Sequence, residues 1–78
     1  MTAERLFDLS GLKCPMPIVR LNKIVRELEA DEQCQVIADD PAFAPDVEAW
    51  CRKTGNTLVS CTSNAEKITA TIRKESHT

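Results

Sequence analysis

Cys14 is the residue of this sequence whose surroundings most favour chemistry. It lies in the segment Gly11-Leu12-Lys13-Cys14-Pro15-Met16-Pro17. Proline is tolerated in the first turn of a helix, where backbone N–H groups have no intrahelical partner to lose, but it disrupts a helix interior. The spacing of Pro15 and Pro17 therefore predicts a helix that begins directly after Cys14, which places this cysteine at or near the N-cap.

A cysteine at a helix N-terminus is predicted to be a reactive thiol. The positive end of the helix dipole favours the thiolate, so the pKa of such a thiol can fall below its ordinary value of about 8.5. Free N–H groups of the first turn can donate hydrogen bonds to a sulfur anion, and Lys13 adds positive charge beside Cys14. Because most free cysteines are buried small hydrophobes, the C-P-x-P spacing by itself leaves both interpretations of Cys14 open.

The other three cysteines are predicted to be buried and unreactive. Cys34 alternates with Val36 and Ala38 on a predicted strand, Cys61 lies in a later strand, and Cys51 shares the inner face of a helix. Disulfides need an oxidising compartment, and the sequence shows no export signal. The closely spaced pairs typical of zinc sites are absent. We therefore expect free thiols, no metal, no cofactor and a cytoplasmic protein.

Other arrangements that support catalysis or binding are weaker. The single histidine, His77, lies in a predicted tail, so a rigid Cys–His pair is not expected. Asp39 and Asp40 are adjacent on an extended segment, where neighbouring side chains point to opposite faces, and a solvated turn is predicted there. The net charge of −2 argues against nucleic-acid binding. No apolar stretch reaches the roughly 20 residues that span a membrane.

The elements that must position Cys14 follow from the hydrophobic pattern, which predicts the order β-α-β-α-β-β. Strands are predicted at 6–9, 34–38, 56–62 and 68–73, and helices at 15–28 and from about 45 to 54. The apolar stripe of the first helix is predicted to contain Ile18, Leu21, Val25 and Leu28.

Strand–helix–strand units imply parallel pairing with a right-handed crossover. Two crossovers of the same hand place both helices on one face of the sheet. The predicted fold is an α/β fold, a two-layer α/β sandwich. It forms a single domain over residues 1–78, with a core at about 6–74 and a disordered tail at 75–78.

From about Phe7 to Lys74 the sequence resembles the TusA family, also called SirA-like proteins, of sulfur carriers. The resemblance rests on the Gly11-to-Pro17 motif after a strand and on the second-strand segment Val36-Ile37-Ala38-Asp39-Asp40-Pro41. It implies a four-stranded mixed sheet with both helices on one side. It also implies that Cys14 carries sulfane sulfur as a persulfide, with the helix start supported by Gly11, Lys13, Pro15 and Pro17.

The function that the resemblance implies depends on partner proteins. The expected donor is a cysteine desulfurase, a rhodanese or a related sulfurtransferase. An acceptor sulfur-relay protein would then take the sulfur toward tRNA thiolation, molybdenum-cofactor assembly or sulfur oxidation. Met16, Arg20 and Lys23 are candidate docking residues, the basic ones for an acidic partner, and the chain itself is expected to be a monomer.

Two alternatives stay open. The first is a thiol-based redox sensor, in which a second cysteine such as Cys51 resolves an oxidised Cys14; this requires Cα atoms within about 7 Å of each other. The second is a non-catalytic protein-interaction module.

Overall fold

The structure is a computed structural model and describes residues 5–64 and 66–75. Its elements are β1 (Arg5–Asp8), α1 (Met16–Arg26), β2 (Gln33–Ala38), α2 (Phe43–Thr54), β3 (Thr57–Asn64) and β4 (Lys67–Arg73). The predicted order is confirmed, with boundaries that shift by one or two residues. Neither helix in this part of the chain is long and apolar enough to cross a membrane.

The four strands form one mixed sheet in the order β1-β2-β4-β3. β1 and β2 are parallel, whereas β4 is antiparallel to both of its neighbours. The predicted four-stranded mixed sheet is therefore confirmed. Because β1 and β2 run in the same direction, both end at the same edge of the sheet, and the loops that follow them can meet there.

One continuous core lies between the sheet and the two helices. Across β2 and β4, the side chains that face each other on the inner surface are all buried: Cys34, Val36, Ala38, Ile68, Ala70 and Ile72. The helices and the turn after α1 add Leu21, Val25, Leu28, Phe43, Val47 and Cys51 to the same cluster. Both helices therefore cover one face of the sheet, as predicted, and Cys34 and Cys51 are buried, as predicted.

β3 forms an edge of the sheet and is mostly exposed. Its register with β4 shifts between Leu58 and Ser60, where Val59 is the extra residue of a β-bulge. Cys61 pairs with the buried Ala70 but is itself exposed. The prediction that Cys61 is buried is wrong, because an edge strand has a neighbour on one side only and the core lies over the central strands.

The end of the described chain is tied to the sheet through Glu75. Its side chain accepts hydrogen bonds from the hydroxyl of Thr57 and from Nε of Arg73, and its backbone N–H donates to the side-chain oxygen of Asn56 at 3.1 Å. The rest of the expected tail at 75–78, which includes His77, lies outside the described residues.

Candidate functional site

Cys14 lies in the loop between β1 and α1, one residue before the helix N-cap. Pro15 occupies the N-cap, α1 begins at Met16, and Pro17 is in the first turn. The Cys14–Pro15 peptide bond is cis. The side chain of Cys14 is exposed. The helix thus starts where the two prolines predict, and the cysteine is accessible at its end.

Two carboxylates that follow β2 fix the loop that carries Cys14. Both carboxylate oxygens of Asp39 accept the backbone N–H of Gly11, at 3.0 and 3.1 Å. Oδ2 of Asp40 accepts the backbone N–H of Cys14 at 2.6 Å, and its Oδ1 accepts the N–H of Ala42 at 3.1 Å. The cysteine loop and the turn after β2 are therefore joined at the edge where the two parallel strands end.

The predicted turn at Asp39 and Asp40 is partly exposed, but the sequence did not predict that these two carboxylates fix the cysteine loop. Each side chain is half-buried and accepts backbone N–H groups. The bonds from Ala42 and then Cys14, with a smaller contribution from the charge of Lys13, hold the pKa of Asp40 below its ordinary value. The signal that could have found them is the parallel pairing of β1 and β2, since residues directly after two such strands meet.

The turn that leads into the cysteine loop has its own hydrogen bonds. Oδ1 of Asp8 accepts the backbone N–H of Ser10 at 2.9 Å, and Nζ of Lys67 donates to the hydroxyl of Ser10 at 2.7 Å. The hydrogen bonds from Ser10 lower the pKa of Asp8. Gly11 follows with a φ of 89°, a conformation that side chains with a Cβ rarely adopt. Glycine is needed here for its backbone conformation and not for space, because no described residue apart from Gly11 and its two chain neighbours has an atom within 4 Å of where a Cβ would be.

A third carboxylate contacts the thiol itself. The S–H of Cys14 donates to Oδ2 of Asp46 at 3.4 Å. Asp46 is in the first turn of α2, where its N–H donates to the carbonyl of Ala42 at 3.0 Å. This contact is the main cause that raises the pKa of Cys14 above its ordinary value; desolvation and the negative charges of Asp46 and Asp40 add to it. A carboxylate beside a thiol favours the protonated form. The predicted depression of the pKa of Cys14 is therefore wrong.

The start of α1 offers few hydrogen-bond donors to a sulfur anion. Pro15 and Pro17 have no backbone N–H. The N–H of Met16 donates to the carbonyl of Lys13 at 2.7 Å, and that of Cys14 donates to Asp40. The same prolines that define the helix start thus remove donors that the expected thiolate stabilisation requires.

Three of the surface depressions lie beside the cysteine loop and α1. A cleft of about 600 Å³ is lined by residues that include Lys13, Asp39 and Lys67. A second depression, of about 320 Å³, lies along β1 and contains Arg20 and Lys23. An apolar groove of about 510 Å³ lies between α1 and α2 and is lined by Pro15, Ile18, Val19, Asn22, Trp50, Lys53 and Thr54. Of the candidate docking residues, Met16 adjoins Cys14 and is 44% exposed, whereas Arg20 and Lys23 lie on the flank of α1 that faces β1.

Two of the remaining thiols, Cys51 and Cys61, have raised pKa values. Cys51 is 4% exposed, and burial raises its pKa to about 11. The pKa of Cys61 is also raised, by burial and by the charge of Glu48. In the part of the chain that the structure describes, no group of three or more His, Cys, Asp or Glu side chains is arranged to hold a metal ion.

Comparisons with known proteins show the family of this chain. The family model described as "Sulfurtransferase TusA" matches residues 5–74. The "Putative sulfur carrier protein" of Aquifex aeolicus (strain VF5) is 37% identical over 94% of this chain and 37% of its own length. Two proteins of Bacillus subtilis (strain 168), YrkF and YrkI, carry the same description and are each 35% identical over 95% of this chain. The chain spans 40% of YrkF but 99% of YrkI, so it covers well under half of the first two relatives.

Proposed function

This chain belongs to the TusA sulfurtransferase family, and from that premise we propose that it is a sulfur carrier that holds sulfane sulfur as a persulfide on Cys14. The observation that carries the proposal is the placement of this thiol. Cys14 is exposed on a loop that Asp39 and Asp40 fasten to the end of β2. Such a loop presents a sulfur atom to a protein surface, where a deep pocket would exclude the partner.

The proposed reaction is a transfer of sulfur between thiols. The thiolate of Cys14 attacks the outer sulfur of a donor persulfide, R–S–SH. The S–S bond of the donor breaks, a new S–S bond forms on Cys14, and the donor leaves as the thiolate R–S⁻. An acceptor thiolate then attacks the outer sulfur on Cys14, and Cys14 leaves as a thiolate in turn. Each step resembles thiol–disulfide exchange and needs no external oxidant or reductant.

The proposed partners are a donor and an acceptor protein that dock in turn around Cys14. The donor class is a cysteine desulfurase, a rhodanese or a related sulfurtransferase, and the acceptor is a sulfur-relay protein. Met16 and Val19, 44% and 52% exposed, offer apolar contacts at the start of α1, and Arg20 and Lys23 offer basic contacts for an acidic surface. We place this relay in the cytoplasm, on a monomeric carrier, in tRNA thiolation, molybdenum-cofactor assembly or sulfur oxidation.

The test is intact-protein mass spectrometry after incubation with a cysteine desulfurase and cysteine, or with polysulfide. We expect wild type to gain the mass of one sulfur atom and to lose it on addition of reductant. We expect the Cys61→Ser variant to gain the same mass. We expect Cys14→Ser to gain none. Cys61 is the matched control, because it is the other exposed thiol of the described chain. Equal loading of Cys14→Ser and wild type would refute the proposal.

A chain that gains no sulfur from either donor would favour a non-catalytic interaction module. The redox-sensor alternative predicts instead that Cys51→Ala abolishes function in cells. The carrier predicts that Cys51→Ala keeps full sulfur loading, since the thiol of Cys51 is buried and protonated at neutral pH.

A further inference from the structure

The charge around the thiol of Cys14 opposes the reaction that the proposed function requires. Thiols accept and release sulfur as thiolates. Yet the sulfur of Cys14 lies 3.4 Å from a carboxylate oxygen of Asp46, and the carboxylate of Asp40 binds the N–H of the same residue. Lys13 is the neighbouring cation in the chain, and it acts on Asp40. The carrier alone therefore holds its reactive group close to two negative charges.

A positive charge on a docked partner would offset the negative charges that disfavour the thiolate of Cys14. Asp46 is half-buried and lies in the first turn of α2, where its backbone N–H is bonded to Ala42, so the helix holds this residue beside the cysteine loop. A cation that pairs with this carboxylate would cancel its effect on the sulfur, and the proton of Cys14 would then pass to solvent. The thiolate would then form most readily where a donor or acceptor is docked.

We propose that Asp46 keeps Cys14 of the free carrier as a neutral thiol. We also propose, as an extension that rests on the proposed function, that sulfur donors and acceptors present a cationic side chain to Asp46 and Asp40. The basic residues Arg20 and Lys23 lie along the β1 flank of α1. The partner surface is therefore of mixed charge: acidic over that flank and basic at the thiol. This arrangement makes transfer dependent on docking and shields the free carrier from small oxidants and electrophiles.

The first test is the pH dependence of alkylation of Cys14, measured on the peptide level with iodoacetamide. We expect Asp46→Asn to shift the midpoint of the rate profile of Cys14 to lower pH, so that alkylation near neutral pH becomes several-fold faster. The matched control is Glu48→Gln on the same helix. Glu48 acts on Cys61, so this change should shift the profile of Cys61 and leave Cys14 unchanged. Identical Cys14 profiles in wild type and Asp46→Asn would overturn the proposal.

The second test uses small disulfides of opposite charge and needs only the wild-type chain. Cystamine is cationic and 3,3′-dithiodipropionate is anionic. For unit charges about 6 Å apart in water, the Coulomb energy corresponds to about a threefold change in rate for each charge. We expect Cys14 to exchange faster with cystamine at low salt, and the preference to fall in Asp46→Asn and at high ionic strength. Equal rates with the two reagents in wild type would overturn the proposal.

Sulfur loading from a cysteine desulfurase and cysteine, which brings a docked protein donor, separates this inference from the proposed function when it is measured on the same samples. If the alkylation shift is observed but Cys14 gains no sulfur, the carrier role is refuted, and so is the proposed cationic partner. A chain that gains sulfur but shows neither the shift nor the charge preference refutes the role of Asp46 alone. Far-UV circular dichroism of Asp46→Asn establishes that the fold is retained.

Discussion

Cys51 should react with iodoacetamide about 100-fold more slowly in the native chain than in the chain unfolded in urea, at about pH 8. Burial raises its pKa from an ordinary 9.0 to about 11. Because each pKa unit is a tenfold change in ionisation, about one molecule in 1,000 is then a thiolate at this pH, against about one in 10 for an unperturbed thiol. Only the thiolate reacts, so ionisation alone supplies the factor, and the 4% exposure of the residue slows the reagent further.

The assay is a time course of alkylation followed by digestion and mass spectrometry of each cysteine peptide. Cys61 is exposed and serves as the internal reference in the same sample. Its ratio of native to unfolded rate should be much closer to one than that of Cys51. A native rate for Cys51 within tenfold of its unfolded rate would refute the reasoning. It would also restore Cys51 as a resolving thiol and strengthen the redox-sensor alternative.

Three further predictions concern stability. Leu21→Ala should lower the free energy of unfolding in urea by about 3 kcal/mol, since the side chain is fully buried in α1. Val19→Ala, at a 52% exposed position of the same helix, should change it by less than about 0.5 kcal/mol; equal effects would contradict the assigned helix faces. Gly11→Ala should cost about 1–2 kcal/mol through its positive φ, and a neutral result would contradict that backbone conformation. Because the pKa of Asp40 is lowered on folding, its contribution to stability is present above its unfolded pKa of about 3.8 and is lost as pH falls through the lower folded value. Asp40→Asn should therefore reduce the loss of unfolding free energy at acid pH. An unchanged dependence of the unfolding free energy on pH would refute this.

The parts of the site that depend on neighbouring residues in the chain could be predicted from the sequence. Pro15 and Pro17 restrict the helix start through local backbone geometry, so the position of Cys14 before α1 follows from spacing alone. The apolar stripe of α1 follows from helical periodicity, and Leu21 and Val25 are buried as that periodicity predicts.

The carboxylates of the site could not be predicted in the same way. Asp39, Asp40 and Asp46 contact the cysteine loop across 28, 26 and 32 residues of chain. Local patterns contain no information on such contacts, which arise only once β1 and β2 pair in parallel and α2 follows. The sign of the pKa shift of Cys14 depends on these distant groups, so an argument from the helix dipole alone predicts the wrong direction.

Cys61 shows a different limit. Alternation and β-branched neighbours identify β3 as a strand, but they do not distinguish an edge strand from a central one. The exposure of Cys61 is set by the strand order β1-β2-β4-β3, which leaves β3 with a single neighbour. The alternation of side chains along a strand therefore predicts which face of the sheet a residue occupies. It predicts less reliably whether a helix covers that face at that position.

The β-bulge at Val59 has a consequence for how copies of this chain behave at high concentration. An open edge strand presents unpaired N–H and C=O groups that can pair with another edge, and a bulge interrupts that ladder and increases the local twist. β3 has eight residues, long enough to recruit a second strand, and its irregularity lies between Leu58 and Ser60. Deletion of Val59 would make the edge regular, and the resulting chain should form intermolecular β-sheet aggregates more readily than wild type.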